Sequence, residues 1–222
     1  MTGRRAAAAA VLMTVLAGCS GGSEGGSEGS DTKASAGASA REKESSVARS
    51  GGSVGAQGSP CELPVTFDFA EDWEADAVDA AVETGSEEAQ EAVDALLYQG
   101  PVALVCELDA KPAGNIGFLR VWTGKPGETD AREVLEAFLA AENGAAEEKY
   151  GTFESNGLRG AEVTYLYSDE LLEETKEERA VAVVTTRGPV VLHLGGLDTE
   201  EHRAMVPALE LAKQTLRAAP EK

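Results

Sequence analysis

The amino-acid sequence predicts an α+β domain, built on one mainly antiparallel β-sheet with helices against its faces. Short runs rich in β-branched and aromatic residues follow one another with turn signals between them, which is typical of antiparallel strands. Three other segments combine helical spacing of apolar residues with helix start and stop signals. The predicted order is strand, helix, hairpin, helix, four strands and a long helix. This order favours helices packed on one antiparallel sheet.

The first half of the domain is predicted to hold a strand, two helices and a hairpin. LPVTFDF (63–69) alternates apolar and polar residues, as a half-buried strand does. SEEAQEAVDALLYQG (86–100) begins with serine and acidic residues and ends at Gly-Pro, which predicts a helix. Residues 101–110 and 115–124 are rich in strand formers and are joined by KPAG, which predicts a hairpin. An apolar stripe at helical spacing predicts a helix over 129–144.

The second half is predicted to hold four strands and a long helix. The strand-like runs are YGTFES, LRGAEVTYLYSD, ERAVAVVTTRG and PVVLHLGGL, and Asn156-Gly157 between the first two is the strongest hairpin signal in the chain. Residues 199–219 begin with Thr and Glu and end with Lys and Arg, which complements a helix dipole at both ends. Pro207 lies inside this segment, so it should bend the helix or shift its start.

The N-terminal residues predict export and a lipid anchor. Two arginines in MTGRR precede an apolar run too short for a permanent membrane helix, so residues 1–18 are typical of a signal peptide. Leu16-Ala17-Gly18-Cys19 resembles the lipobox of bacterial lipoproteins, which implies that the Cys19 sulfur carries a diacylglycerol, that palmitate is among the acyl chains, and that cleavage leaves Cys19 first. The alternative is an ordinary secretory signal that contains a cysteine. Arg4-Arg5 leaves open export by the Sec or the Tat route.

The composition divides the remaining chain into a tether and one domain. Residues 19–59 follow the signal peptide and are dominated by Gly, Ser and Ala without aromatic residues, which predicts a disordered tether carrying Cys19. Residues 60–222 contain the aromatic and branched residues needed for a core and are predicted to form a single globular domain. The chain has 39 acidic and 19 basic residues, a net charge of −20, and the tether is nearly neutral. Nucleic acid is therefore excluded as a partner, because phosphate contacts need basic surface.

Cysteine usage predicts a disulfide. With Cys19 lipidated, Cys61 and Cys106 remain as one pair in an exported domain, and in an oxidising compartment such a pair is typically bridged. The alternatives are metal ligation or a redox pair, which the absence of CxxC spacing and of a nearby histidine disfavours. We expect a bridge between the N-terminal edge of the domain and its sheet.

The layout resembles a known fold family. The features that carry the resemblance are VTFDF followed by Asp72-Trp73, the strands GAEVTYLY, ERAVAVVTTRG and PVVLHLGGL, and the final helix. Residues 61–218 resemble the PsbP-like fold with its α/β/α layers, and in particular the LpqN/LpqT-type lipoproteins of high-GC Gram-positive bacteria. The resemblance implies a binding or partner-assembling role rather than catalysis.

No catalytic motif predicts chemistry in the domain. Nucleophile-elbow, zinc-helix, phosphate-loop and dinucleotide patterns are all absent from the sequence. The two histidines are His193, in a predicted strand, and His202, in the first turn of the last helix. We interpret His193 as an ordinary sheet residue; a catalytic role would need an acid and a nucleophile within hydrogen-bond reach. The domain's serines, Ser86, Ser155 and Ser168, lie in turn-like positions without a supporting pattern.

Two acidic segments are candidate cation sites, because several hard oxygen ligands suit calcium. The first comprises Asp68, Glu71, Asp72, Glu74, Asp76 and Asp79, and the second is DELLEETKEER (169–179), interpreted as a solvated loop or one helical turn. The first segment lacks the Gly at the sixth position and the Glu at the twelfth that an EF-hand needs. No metal ligand and no cofactor is assigned from the sequence.

The sequence predicts a lipoprotein on the extracytoplasmic face of the cell membrane. We expect a non-catalytic binding or accessory module of the cell envelope, with an envelope protein or a small molecule as its partner. The candidate contact surfaces are a groove between the sheet and the helix at 129–143 and the sheet face that holds Trp122 and Tyr165, although these aromatic residues could instead be core. The alternatives are an envelope hydrolase with an unrecognised site and a cation-binding surface protein.

Overall fold

The computed structural model describes residues 47–169 and 174–220, and these residues form an α+β fold. The helices are α1 (Glu87–Leu97), α2 (Ala131–Ala140) and α3 (Thr199–Thr215). The strands are β1 (Ser50–Val54), β2 (Val65–Ala70), β3 (Glu74–Ala77), β4 (Tyr98–Gln99), β5 (Val102–Asp109), β6 (Gly117–Gly124), β7 (Ala145–Ser155), β8 (Leu158–Asp169), β9 (Glu174–Thr185), β10 (Gly188–Gly196) and β11 (Arg217–Ala218). The predicted fold class is confirmed. The predicted elements occur in the predicted order, but β1, β3, β4 and β11 were not predicted, and the strands form two sheets where one was expected.

The named strands form two antiparallel sheets. The larger has the order β3-β5-β6-β10-β9-β8-β7, with β4 paired to β5, and the smaller has the order β1-β2-β11. The β7–β8 hairpin turns at Asn156-Gly157, and both residues have positive φ, 46° and 84°. A turn with two positive φ angles matches the right-handed twist of the strands it joins, which explains why the Asn-Gly pair predicted this hairpin correctly.

Strand alternation divides the core into two layers. Leu119 and Leu192 belong to the cluster that packs with α3 and β2 on one face of the large sheet. Trp122 and Val191 point to the other face and pack with α2. The sheet therefore lies between α3 on one side and α2 on the other, which is the predicted α/β/α layering.

Helix α2 begins with a capping box that the sequence analysis missed by placing the start at Thr129. The Asp130 side chain accepts from the Glu133 backbone N–H at 2.9 Å, and the Glu133 carboxylate accepts from the Asp130 N–H at 3.1 Å. Two backbone donors at the helix start are thereby satisfied, and Val134, Leu135, Phe138 and Leu139 are buried.

Replacing the capping carboxylate should weaken α2. We expect Asp130→Ala to lower the free energy of unfolding by about 1 kcal/mol, because the N3 backbone donor loses its acceptor. Urea unfolding followed by circular dichroism measures this loss. Asp130→Asn, which keeps a capping oxygen, should lose less, and Thr129→Ala should be neutral. An equal loss in Asp130→Ala and Thr129→Ala would contradict the capping assignment.

Helix α3 starts where the charge pattern placed it, despite its internal proline. Asp198 caps the helix by accepting from the backbone N–H groups of Glu200 and Glu201, at 2.8 and 2.9 Å. Pro207 lies inside the helix, and its carbonyl accepts from the Ala48 N–H at 3.0 Å. The expectation of a shifted start was therefore wrong, because the N-cap determines the start of this helix.

The predicted tether extends too far toward the domain. Residues up to 59 were expected to be disordered, but Ser50–Val54 form β1, which pairs with β2, and Val54 is fully buried. The glycines fit this pairing because β1 lies very close to its neighbours: a Cβ on Gly52 would lie 2.8 Å from the Phe69 ring. A Gly- and Ser-rich segment cannot form a core alone, but here β2 supplies the apolar side chains.

The predicted disulfide is present. Cys61 and Cys106 are bonded, with their Cα atoms 5.9 Å apart, and both are buried. Cys61 precedes β2 of the small sheet and Cys106 lies in β5 of the large sheet, so the bond links the two sheets covalently. Among the described residues, no helix is long and apolar enough to span a membrane.

Candidate functional site

Three neighbouring strands bring polar side chains to the α2 face of the large sheet. Tyr165 in β8 is the direct cross-strand partner of Glu178 in β9. His193 in β10 is opposite Ala180, two residues along β9 from Glu178. Because residues two apart in a strand point to the same face, all three side chains meet there.

The three side chains form a buried hydrogen-bonded cluster. His193 Nε2 lies 2.8 Å from Glu178 Oε2, and the Tyr165 hydroxyl lies 3.0 Å from both of these atoms. Glu178 and His193 are only 3% and 6% exposed. Lys176 Nζ lies 3.0 Å from Glu178 Oε1 and donates to the Gly196 carbonyl at 2.7 Å. Both carboxylate oxygens of Glu178 are therefore held in place.

The electrostatics of the cluster determine its charge states. Burial acts to raise the pKa of Glu178, but the charges and hydrogen bonds of His193 and Lys176 outweigh it and lower this pKa to about 2. Burial and the nearby Glu178 and Glu142 carboxylates raise the pKa of Tyr165 well above its ordinary value. At neutral pH the cluster therefore contains an ionised Glu178 and a protonated tyrosine.

Two further polar atoms beside the cluster lack hydrogen-bond partners among the described residues, although the Glu142 carboxyl as a group also contacts the Tyr165 hydroxyl. Glu142 follows α2, burial raises the pKa of its carboxyl, and its Oε2 is buried without a hydrogen-bond partner among the described residues. The indole N–H of Trp122, a residue only 4% exposed, is likewise buried without an acceptor in that part of the chain. Glu142, Glu178 and His193 each offer one ligand atom, and these three atoms lie within 4.8 Å of one another.

These groups line a cavity of about 510 Å³ on the sheet surface. Its charged lining includes Glu142, Lys176, Glu178 and His193, which we call the floor. Three of its lining residues are large exposed apolar side chains, which we call the rim: Leu96 is 72% exposed, Ile116 56% and Leu197 53%. The cavity thus combines a charged, largely buried floor with an apolar rim open to solvent.

A family model described as "uncharacterised lipoprotein" matches residues 31–216. The chain belongs to this lipoprotein family. Membership confirms the predicted lipoprotein class, and the predicted signal peptide and Cys19 themselves lie outside the described residues.

Comparisons with individual proteins add one structural likeness. A search of curated proteins found no match for the lipoprotein. A similar solved structure is the solution structure of cyanobacterial PsbP (CyanoP) from Synechocystis sp. PCC 6803, with a TM-score of 0.45 and 9% identity, covering 70% of this chain and 86% of that chain. The α+β class of the lipoprotein follows from its own helices and strand order.

Helix α1 in the lipoprotein differs from its prediction in a way that matters for the cavity. The apolar residues Ala89, Val93, Leu96 and Leu97 are predicted to share one side of the helix and to pack on the core, but none of the residues of α1 is buried. Ser86 caps the helix by accepting from the Ala89 N–H at 3.3 Å. Leu96 lines the cavity instead of joining the core, so an apolar position that suggested packing belongs to the rim.

The histidines and serines considered in the sequence have different roles in the structure. His193 lies in a strand as predicted, but in contact with an acid and a hydroxyl rather than as an ordinary sheet residue. His202 is buried away from these contacts, against α3's own core cluster, with both ring nitrogens unpartnered among the described residues. The three serines are structural: Ser86 caps α1, Ser155 donates to the Gln214 and Leu216 carbonyls, and Ser168 bonds to Thr175.

The candidate cation sites are corrected by the geometry. The acidic residues between Asp68 and Asp79 form no group with metal-ligand spacing among the described residues. The segment 169–179 was interpreted as a loop or helical turn, but Glu174 begins β9 and Glu178 is buried. Glu178 was missed because its acidic neighbours suggested a solvated surface. The available signal was alternation, since Glu178 shares its face with Ala180 and Ala182.

The structure gives different outcomes for the two candidate contact surfaces. The expected groove between the sheet and the 129–143 helix is present only at the start of the helix, where residues 129–132 and strands β7, β8 and β9 line a cavity of about 450 Å³. Farther along, the apolar stripe of α2 is buried against the sheet. Trp122 and Tyr165 are core residues by burial, as the alternative proposed, and both also contribute to the site. The sequence therefore indicated the correct face of the sheet without indicating the acidic residues on it.

Proposed function

We propose that this lipoprotein is a non-catalytic binding module, held by a lipid on Cys19 at the extracytoplasmic face of the cell membrane, and that it binds a small molecule in the cavity. The observation that carries the proposal is the combination of an apolar rim with a charged floor that holds unpartnered polar atoms. Small-molecule sites typically combine apolar lining with a few placed polar groups.

The unpartnered atoms describe the polar part of the ligand. A buried polar group without a partner costs about 1–3 kcal/mol, so a ligand that supplies the missing hydrogen bonds recovers that energy. Glu142 Oε2 needs a donor and the Trp122 N–H needs an acceptor. A group that both donates and accepts, such as a hydroxyl, meets both needs. An apolar portion of the same molecule then contacts Leu96, Ile116 and Leu197 on the rim.

The contacts of His193 favour binding over hydrolysis. A hydrolase of the Ser-His-acid type needs a hydroxyl or thiol nucleophile on the histidine. Within residues 47–169 and 174–220, the hydroxyl bonded to His193 is that of Tyr165. The raised pKa of Tyr165 keeps this oxygen protonated, which makes it a poor nucleophile. His193 also bonds directly to Glu178 through the nitrogen that would serve as the base.

The proposal also covers the N-terminal part of the chain. It includes a signal peptide over residues 1–18, a palmitate-bearing lipid on Cys19 and a tether that follows Cys19. The resemblance to the LpqN/LpqT-type lipoproteins of high-GC Gram-positive bacteria supports the same location and a partner-binding role. The net charge of −20 supports a domain that faces away from anionic headgroups.

The rim can be tested with a matched pair of variants. The lipoprotein is purified from its own membranes, and small molecules that leave with it are identified by native mass spectrometry. Each is then titrated into a Trp73→Phe form, whose remaining tryptophan fluorescence reports on Trp122 in the cavity. We expect Leu96→Glu to weaken binding about tenfold or more, which corresponds to about 1.4 kcal/mol. Val82→Glu changes an exposed apolar residue outside the cavity and should bind normally.

Two results would contradict the proposal. One is that nothing small is retained and no titrated compound changes the Trp122 fluorescence. The other is that Leu96→Glu and Val82→Glu bind equally well. A Cys19→Ala form controls for the anchor. It should be found in the soluble fraction instead of the membrane fraction, and it should bind the small molecule with the affinity of the parent.

A further inference from the structure

We propose that Glu142, Glu178 and His193 bind one divalent transition-metal ion at the floor of the cavity. The role of this metal site rests on the proposed binding function, because the bound ion would hold the polar group of the small-molecule ligand. One imidazole nitrogen and two carboxylate oxygens suit Zn²⁺, Mn²⁺ or Fe²⁺, and catalytic and exchangeable zinc sites typically use three protein ligands with one open position.

The three ligands are already gathered by the fold. Glu178 and His193 come from paired strands, 2.8 Å apart at Oε2 and Nε2. Glu142 follows the capped helix α2, and one ligand atom from each of the three residues lies within 4.8 Å of the others. Ligand atoms around a tetrahedral Zn²⁺ lie about 3.4 Å apart, given bonds of about 2.0–2.1 Å. Small side-chain rotations would therefore form the site. They would widen the 2.8 Å separation of Glu178 Oε2 and His193 Nε2 and bring the Glu142 carboxylate closer to both.

The surrounding groups are arranged to orient the ligands. The Tyr165 hydroxyl donates to Glu178 Oε2 and the Lys176 ammonium bonds to Oε1. Outer contacts of this kind fix the orientation of a metal-binding carboxylate. The Glu142 and Glu178 carboxylates supply oxygen ligands of the kind that divalent cations bind.

Independent observations point to an occupant rather than to an acidic surface alone. Glu142 Oε2 is buried without a donor among the described residues, so this oxygen is available to coordinate a cation. Trp122, 4% exposed and lining the same cavity, has a buried N–H without an acceptor there. An oxygen in the open coordination position, from water or from the ligand, would supply that acceptor. The other acidic segments in the described part of the chain do not form such a group.

The experiment uses cobalt as a visible probe. The full chain in its Cys19→Ala form has no free thiol, since Cys61 and Cys106 are bonded, so thiolates cannot compete. Co²⁺ is titrated while the visible ligand-field absorption is recorded, and Zn²⁺ is then added in competition. We expect one equivalent of Co²⁺ to bind and Zn²⁺ to displace it.

Variants locate the ion. Glu142→Gln and His193→Gln should each lower the affinity at least about tenfold, the loss typical even of supporting residues around metal sites. Glu148→Gln, an exposed glutamate in β7, should bind as the parent does. Glu142→Gln leaves the Glu178–His193 contact intact, so its circular dichroism spectrum should be unchanged and its loss of binding cannot be ascribed to unfolding.

The outcomes separate this inference from the proposed function. Absence of Co²⁺ absorption and of Zn²⁺ binding overturns the metal site, even if small molecules still change Trp122 fluorescence. Binding that is unaffected by Glu142→Gln and His193→Gln also overturns it, because the ion then lies elsewhere. Metal binding without any small-molecule ligand upholds the metal site and contradicts the proposed function.

Discussion

Replacing Cys61 and Cys106 together by alanine is expected to lower the free energy of unfolding by about 4 kcal/mol, the largest effect that we anticipate from a change in this protein. The two residues are 45 apart in sequence, and a cross-link across a loop of that length restricts the unfolded chain by this amount in the loop-entropy model. Urea unfolding of the variant and of the parent, compared in oxidising buffer, measures the loss.

The reductant provides the matched control. The parent in excess reductant should unfold at the same urea concentration as the double variant, and the double variant itself should not respond to reductant. Cys19→Ala should keep the full stability of the parent, because it leaves the bond between the sheets intact. A parent protein whose unfolding is indifferent to reductant would contradict this account.

Acidification should destabilise the domain through His202 before it affects the carboxylates. His202 is fully buried, and burial together with the positive charge of Arg179 lowers its pKa to about 4. The unfolded chain, with an ordinary value near 6.5, binds the proton first, so stability falls as the pH drops from about 6.5 to 4. The difference in pKa corresponds to about 3 kcal/mol.

The variant His202→Leu should remove this loss and leave the rest of the acid response in place. Leucine has a similar volume and no unpartnered nitrogens, so its stability at pH 7 should equal or exceed that of the parent. Both proteins should still lose stability below about pH 4.5, since the pKa of Glu178 is lowered to about 2 in the fold and the unfolded carboxyl takes up a proton first. A parent and a variant with parallel unfolding curves between pH 6.5 and 4 would refute the assignment to His202.

The fold was predictable because its signals are local. The Asn156-Gly157 turn, the apolar stripe of α2 and the acidic start of α3 each act through neighbouring residues, and the structure bears each of them out. The predicted end of α3 at residue 219 was too late, because the helix ends at Thr215 and Arg217 lies in β11. The predictions were wrong where the structure of a segment depends on contacts with residues distant in sequence. Ser50–Val54 is a strand only because β2 lies beside it, and that pairing has no signature within the segment itself.

The site was less predictable because the five residues Trp122, Glu142, Tyr165, Glu178 and His193 belong to five separate segments. The sequence indicated the sheet face of Trp122 and Tyr165 and offered His193 as a candidate, but it suggested a solvated surface for Glu178 and gave no signal for Glu142. Nothing in the spacing of these residues along the chain reveals that β8, β9 and β10 align Tyr165, Glu178 and His193. A buried carboxylate is stable only with the partners that tertiary structure supplies, and those partners are not adjacent in sequence.

The position of Cys61 has a mechanical consequence. If the proposed lipid on Cys19 holds the chain at that end, drag on the domain is transmitted along the chain to β1, which forms the edge of the small sheet. If a pull peels β1 from β2, unravelling along the backbone stops at Cys61, where the disulfide passes the tension to β5 in the large sheet. The disulfide therefore limits unravelling to the segment before Cys61, and the large sheet that carries Glu178 and His193 stays folded under load.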